Sequence, residues 1–200
     1  MRWFMSDEKK KKITVNDIVV VGLMAALVFA GTNIRIYIPT LVDKTMIHFG
    51  NVFCLLAGLL FGGLKGGLGA GIGSAFYDLM DPSYIASAPF TLINKFMMGF
   101  VAGALSHRKG LAGKKPLVNV LSSVAGSLTY VVLYVGKSLL ENIFFNRTAV
   151  QTALIDAGQK ALVSTVNGLI AVVAANILAL ALRAALEKTG IYQRLTGQTR

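Results

Sequence analysis

Residues 18–34 form an apolar run without a single charge, and within it Gly22, Ala26 and Ala30 recur every four residues. On a helix that spacing stacks the three on one face. Their small side chains leave a flat groove that another helix can approach backbone to backbone. Leu23, Leu27 and Val28 fall opposite and suit lipid. The first helix is therefore expected to be a membrane span that carries a docking stripe.

The rest of the chain fits that setting. Hydrophobic residues make up 54% and charged residues 14%, with 21 glycines, which is more apolar surface than a soluble core of 200 residues needs. Abundant glycine in long apolar runs marks packed transmembrane helices. Six spans are predicted, at about 17–34, 46–62, 67–80, 85–105, 117–136 and 161–182. Spans of roughly 17–22 residues match a hydrocarbon core of about 30 Å. The third is shorter and rich in glycine, which predicts an inner helix. Thr14, Asn16 and Asp17 are candidate caps for the first. A connection covers residues 35–44, a very short turn with Lys65 covers 63–66, and a polar, partly helical connection covers 146–158. The expected fold is an all-α integral membrane bundle of six helices over residues 14–185. A basic tail, 1–13, precedes it, with Trp3 and Phe4 at the interface, and a second basic tail, 186–200, follows.

A net charge of +11 in a soluble protein would suggest nucleic acid. Here fourteen of the twenty lysines and arginines fall in the N-terminal tail, at Lys65, in the 107–115 loop and in the C-terminal tail. That asymmetry places both termini in the cytoplasm and accounts for the charge without a nucleic-acid partner. A signal-peptide reading of the N-terminus is disfavoured, because the apolar run continues through Ile34 with no clear cleavage tripeptide. Cys54 lies in an apolar run and reads as a small buried hydrophobe.

Polar residues within the spans mark candidate sites, because a charge near mid-bilayer is costly unless it faces inward or serves a function. Lys95, next to Asn94, lies roughly 15 Å into span 4 at 1.5 Å per residue. Snorkelling is the bland alternative. In span 5, Tyr130, Tyr134, Lys137 and Glu141 share one helical face. Two readings fit that face: rings that stack a flat solute below a Lys and a Glu, or an interfacial aromatic belt with a surface ion pair. Span 6 repeats the theme with Lys160, Ser164 and Asn167. Asn33 closes span 1, while His48 and Asn51 open span 2; a lone histidine of this kind is more often structural than a ligand. All these groups fall in the outer half of the membrane. A cup open outward is expected, with Arg35, Tyr37, Pro39 and Lys44 in a connection above it.

The chain has no P-loop, no HExxH, no GxSxG and no paired carboxylates within a span. No metal site and no cofactor are expected. Asp43, Asp78, Asp81, Glu141 and Asp156 read as helix-end or loop acids, unlike the mid-helix acids of proton-coupled carriers. No repeated half is evident either. The chain can bind a solute from outside but shows no power source. The alternative reading is a self-sufficient small-solute channel or secondary carrier.

The GLMAALVFA stripe and the block at 46–105, MIHFGNVFCLLAGLLFGGLKGGLGAGIGSAFYDLMDPSYIASAPFTLINKFMMGFVAGAL, resemble the S component, the substrate-capturing subunit, of an energy-coupling factor (ECF) vitamin transporter. The resemblance covers about 14–185 and is closest to the riboflavin-type group, which includes hydroxymethylpyrimidine and pyridoxine carriers. It implies a multi-pass protein of the bacterial plasma membrane that is not itself an enzyme. It also implies a vitamin bound at the outer side, a gate at about residues 35–44, and docking through Gly22, Ala26 and Ala30. The implied partners are a transmembrane T component and two cytoplasmic ATPases. Hydroxymethylpyrimidine or pyridoxine is the expected cargo, then riboflavin or pantothenate, whose carboxylate Lys95, Lys137 or Lys160 would pair.

Overall fold

In the computed structural model, residues 13–190 are described, together with 192 and 195. The expectations for Trp3, Phe4 and most of both tails fall outside the described residues. Six α-helices and one β-hairpin make up the described chain. They are α1 (Val15–Asn33), β1 (Arg35–Pro39), β2 (Lys44–His48), α2 (Gly50–Phe61), α3 (Gly63–Met80), α4 (Ala88–Ser106), α5 (Pro116–Leu140) and α6 (Val150–Lys188). Four helices are long and apolar enough to cross a membrane, namely α1, α4, α5 and α6.

Thr14 caps α1 in a reciprocal box with Asp17: the Thr14 N–H donates to Oδ2 at 2.8 Å, and the Asp17 N–H donates to Thr14 Oγ1 at 3.3 Å. Helix α2 lies inside an arc formed by α1, α3, α4, α5 and α6. Its leucines, Leu55, Leu56 and Leu59, are fully enclosed with Cys54. In α6 the buried residues are, apart from Val172, small or polar, among them Ala157, Ser164, Asn167, Gly168, Ala171 and Ala175, while Leu162, Leu169, Val173 and Ile177 point outward. Small residues inside and large apolar ones outside are how helices pack closely when the solvent is lipid.

Glycine sets how closely the helices approach. A Cβ on Gly66 would sit 2.4 Å from the Cα of Gly58, and one on Gly103 would sit 2.4 Å from the carbonyl carbon of Gly62. Gly62 alone separates α2 from α3, with φ of 84°. That left-handed geometry favours glycine. The expected 63–66 turn is thus a single residue, and Lys65 lies in the first turn of α3, ion-paired with Asp17.

Several expectations are corrected. Residues 46–48 belong to β2, so α2 has twelve residues. At 1.5 Å per residue that is about 18 Å, too short to cross a bilayer alone. The 35–44 connection is β1, a turn closed by the Thr40 N–H on the Asp43 carbonyl at 2.8 Å, and the start of β2. Helix α6 starts at Val150, so only residues 146–149 connect it to the π-helical turn Glu141–Phe145 that ends α5. Val28 is buried in the core, not lipid-facing. Val20, Met24 and Val28 form the inner stripe of α1, and the face opposite Gly22, Ala26 and Ala30 is the core side.

Candidate functional site

A cavity of about 320 Å³ lies beneath the hairpin, walled by α3, α4, α5, α6 and the 81–87 turn. Of the residues expected at a binding site, His48, Asn94, Lys95, Tyr130, Tyr134, Lys137, Glu141 and Lys160 line it, as does Lys44 from the hairpin. Four do not. Asn33 donates to its own helix at Phe29 O (2.9 Å). Asn51 lies behind the wall and accepts from the Lys95 ammonium through Oδ1. Ser164 and Asn167 are buried on α6 beyond the lining residues.

Lys95 is 4% exposed, and its Nζ lies 3.6 Å from the centroid of the Tyr130 ring. A cation on an aromatic face inside low dielectric is a substantial attraction. Tyr130 in turn stacks on Tyr134, with centroids 5.6 Å apart and planes 15° off parallel. Tyr130 therefore has Lys95 and Tyr134 as ring neighbours, so the two tyrosines form a panel, not a slot for a solute between them. Tyr134 donates to Thr45 Oγ1 of β2 at 3.1 Å, tying that panel to the hairpin.

The other two lysines are paired. Lys137 donates to Ser87 Oγ at 3.0 Å and pairs with Glu141. Lys160 donates to Ser138 Oγ at 2.9 Å and pairs with Asp156 at 3.1 Å. Asp156 also accepts from the Val42 N–H at 3.1 Å and from Asn142 Nδ2 at 2.9 Å. Gln159 accepts from the Leu41 N–H at 2.8 Å. The tip of the hairpin thus hangs on α6.

The strands are anchored on the opposite side. Asp81 accepts from the Tyr37 hydroxyl at 3.2 Å and the Tyr77 hydroxyl at 3.3 Å, and Arg35 approaches it at 3.7 Å. Burial works against the Asp81 charge, but the Ser83 N–H, both hydroxyls and Arg35 outweigh it and hold the carboxyl below its usual range. Arg35, Tyr37 and Pro39 lie outside the cavity wall, on β1. Lys44 spans both, lying 4.7 Å from the Tyr37 ring centroid and donating to Ser83 Oγ at 3.3 Å.

Sequence reading missed several lining residues: Asp78 and Ser74 on α3, Thr91 and Ser87 next to α4's polar face, and Tyr84 in the turn. Ser74 and Asp78 are one helical turn apart, which was the available signal. Among the described residues the buried Tyr84 hydroxyl and His48 Nδ1 have no hydrogen-bond partner, and both residues line the cavity. Burial holds the Tyr84 phenol above its usual range. Among the described residues, no cluster of His, Cys, Asp and Glu is arranged to hold a metal ion.

The arrangement can enclose a small solute against an aromatic panel and offer it hydrogen bonds of both signs. The model of one family, described as ECF-type riboflavin transporter, S component, matches residues 12–186. No curated protein matches the chain.

Proposed function

The chain belongs to the ECF-type riboflavin transporter S component family, and from that premise we propose that it binds a water-soluble vitamin or vitamin precursor in the hairpin-covered cavity and passes it to an ATP-driven partner module. As a member it is a non-enzymatic, multi-pass subunit of a transporter in a prokaryotic cell membrane. The observation that carries the reading is the cavity itself. Its volume of about 320 Å³ sits at the lower end of the range for small-molecule sites, and polar side chains converge on it. The cargo is a flat hydroxylated heterocycle of the hydroxymethylpyrimidine or pyridoxine kind, ahead of riboflavin or pantothenate. The hairpin, with Arg35, Tyr37, Pro39 and Lys44, is the gate.

Partner docking falls to the exposed stripe of α1. Ala26 and Ala30 are exposed, and a Cβ on Gly22 would meet nothing within 4 Å. The described residues of the bundle therefore leave the stripe open, which favours a helix of a T component seated there, with ATP hydrolysis on two separate ATPase subunits. Reconstitution with the partner module tests this. Ala26→Trp is expected to leave solute affinity within about twofold and to cut transport by at least about tenfold, since a large ring abolishes close backbone approach. Normal transport by Ala26→Trp removes the docking role. Uptake by vesicles that lack ATPases favours the self-sufficient carrier instead.

A further inference from the structure

The charges around the cavity are not evenly matched. Lys137 has Glu141, and Lys160 has Asp156. Lys44 rests on Ser83 and the Tyr37 ring. Asp43 lines the mouth but is exposed. Two buried opposite charges remain, Asp78 on α3 and Lys95 on α4. Each is 4% exposed, and each lines the cavity. Among the described residues neither has an ion-pair partner within 4.0 Å, and they do not pair with each other. The Lys95 ammonium is drawn instead to the Asn51 carbonyl oxygen and the Tyr130 ring. Asp78 has a neutral neighbour in the Thr91 hydroxyl.

A carboxylate and an ammonium in the same low-dielectric site normally close on each other, because leaving either unpaired is expensive. Here Asn51 and Tyr130 hold the cation back. An ammonium has three donors and an ionised carboxylate only acceptors. Asn51 and the ring take up two of the donor directions. One donor direction of Lys95 and the Asp78 lone pairs that Thr91 does not engage are thus left for whatever enters. His48 Nδ1, buried and without a partner among the described residues, adds a third polar atom to the same wall.

Resting on the binding role of this cavity, we propose that Asp78 and Lys95 together select the solute. Asp78 accepts a hydrogen bond from an N–H donor, an exocyclic amine or a protonated ring nitrogen, while Lys95 donates to an acceptor on the same molecule. The bound solute completes the pair that the protein keeps open. A solute whose charged group is a carboxylate is disfavoured, because it would bring a second anion to Asp78. Asp78 is then the residue that separates nitrogen heterocycles from acids of similar size.

The test is titration of the purified full-length protein with hydroxymethylpyrimidine, pyridoxine, riboflavin and pantothenate, for the native chain and for Asp78→Asn. The native chain is expected to bind a nitrogen heterocycle in preference to pantothenate. Asp78→Asn is expected to lose about 10–100-fold in affinity for that heterocycle, the value of a charge-assisted hydrogen bond. It is also expected to narrow or reverse the discrimination against pantothenate. Melting of the ligand-free proteins separates this from a structural role: with no ion-pair partner to lose, and an amide oxygen still able to accept from Thr91, Asp78→Asn should melt no lower than the native chain. An unchanged affinity, tightest binding of pantothenate by the native chain, or a melting point lowered without ligand overturns the role of Asp78 and leaves the cavity's binding role standing. If none of the four solutes binds, both fall together.

Discussion

The two ends of the bundle hold their helices by different means. At the end carrying the 107–115 loop, backbones touch: Gly58 and Gly66 bring α2 onto α3, and Gly99 and Gly103 bring α4 onto both. The loose carbonyls there are closed by Arg183, which donates to Leu59 O at 2.9 Å and to Ala112 O, and by the Tyr192 hydroxyl on Leu60 O at 2.8 Å. At the hairpin end, side chains keep the helices apart around a cavity, and the ties are hydrogen bonds between side chains or from side chains to the hairpin backbone. Close backbone packing has one solution, because a core at crystal-like density does not deform gradually. Side-chain hydrogen bonds exchange partners at a cost of about 1 kcal/mol each. One end is thus a rigid floor, and the other is a roof held by exchangeable ties, as the proposed gate requires.

The largest expected effect breaks the floor. Gly66→Leu would drive a Cβ to 2.4 Å from the Gly58 Cα, with backbone that cannot move aside. A loss of about 3 kcal/mol or more is expected, read as failure to purify as a single folded species. Gly22→Leu is the control on α1, where there is open space. It should melt within a few degrees of the native chain. Equal stability of the two variants would refute the distinction between seam and stripe.

Next in size is the clamp. Arg183→Met keeps much of the side chain's bulk but leaves the Leu59 and Ala112 carbonyls without their donor. About 2 kcal/mol of stability should go, measured by thermal melting in detergent. Solute affinity should stay within about twofold, because Arg183 does not line the cavity. An affinity loss of tenfold would show that floor and roof are coupled through α6.

How much of this was legible in the sequence follows the same division. Spans were readable from apolar runs, and Lys95, Tyr130, Tyr134, Lys137 and Lys160 stood out because polar groups are rare in such runs. Asp78 did not. Close to Asp81 and Pro82 it reads as a helix-end acid, and only the packing of α3 on α4, with Thr91 beside it, buries it at 4% exposure. The hairpin was hidden for another reason. Strands of five residues give too short an alternation to stand against the apolar run that follows, and the turn that pairs Arg35 with His48 through Pro39 with Lys44 holds no glycine or asparagine to announce it. The early start of α6 was obscured because the buried Asp156 and Lys160 are polar for the sake of the hairpin and cavity, not of water.

The smallest expected effect tests the roof where it is most local. Gln159 contributes one hydrogen bond, from the Leu41 N–H at the hairpin tip, and does not line the cavity. Removing it in Gln159→Ala takes about 1 kcal/mol from the closed position of the tip, roughly a fivefold shift in the open fraction. The solute touches the same groups in the bound state, so entry and release should both speed up by about three- to fivefold in stopped-flow measurements, with affinity changed less. Tyr37→Phe is the comparison, since it loosens the other anchor, at Asp81. If Gln159→Ala speeds exchange and Tyr37→Phe does not, the roof opens by lifting its tip from α6 while the strands stay seated on the 81–87 turn. If the effects are reversed, the hinge and the latch trade places. If neither rate changes, the hairpin is as fixed as the glycine seam, and the contrast between the two ends lies in polarity alone.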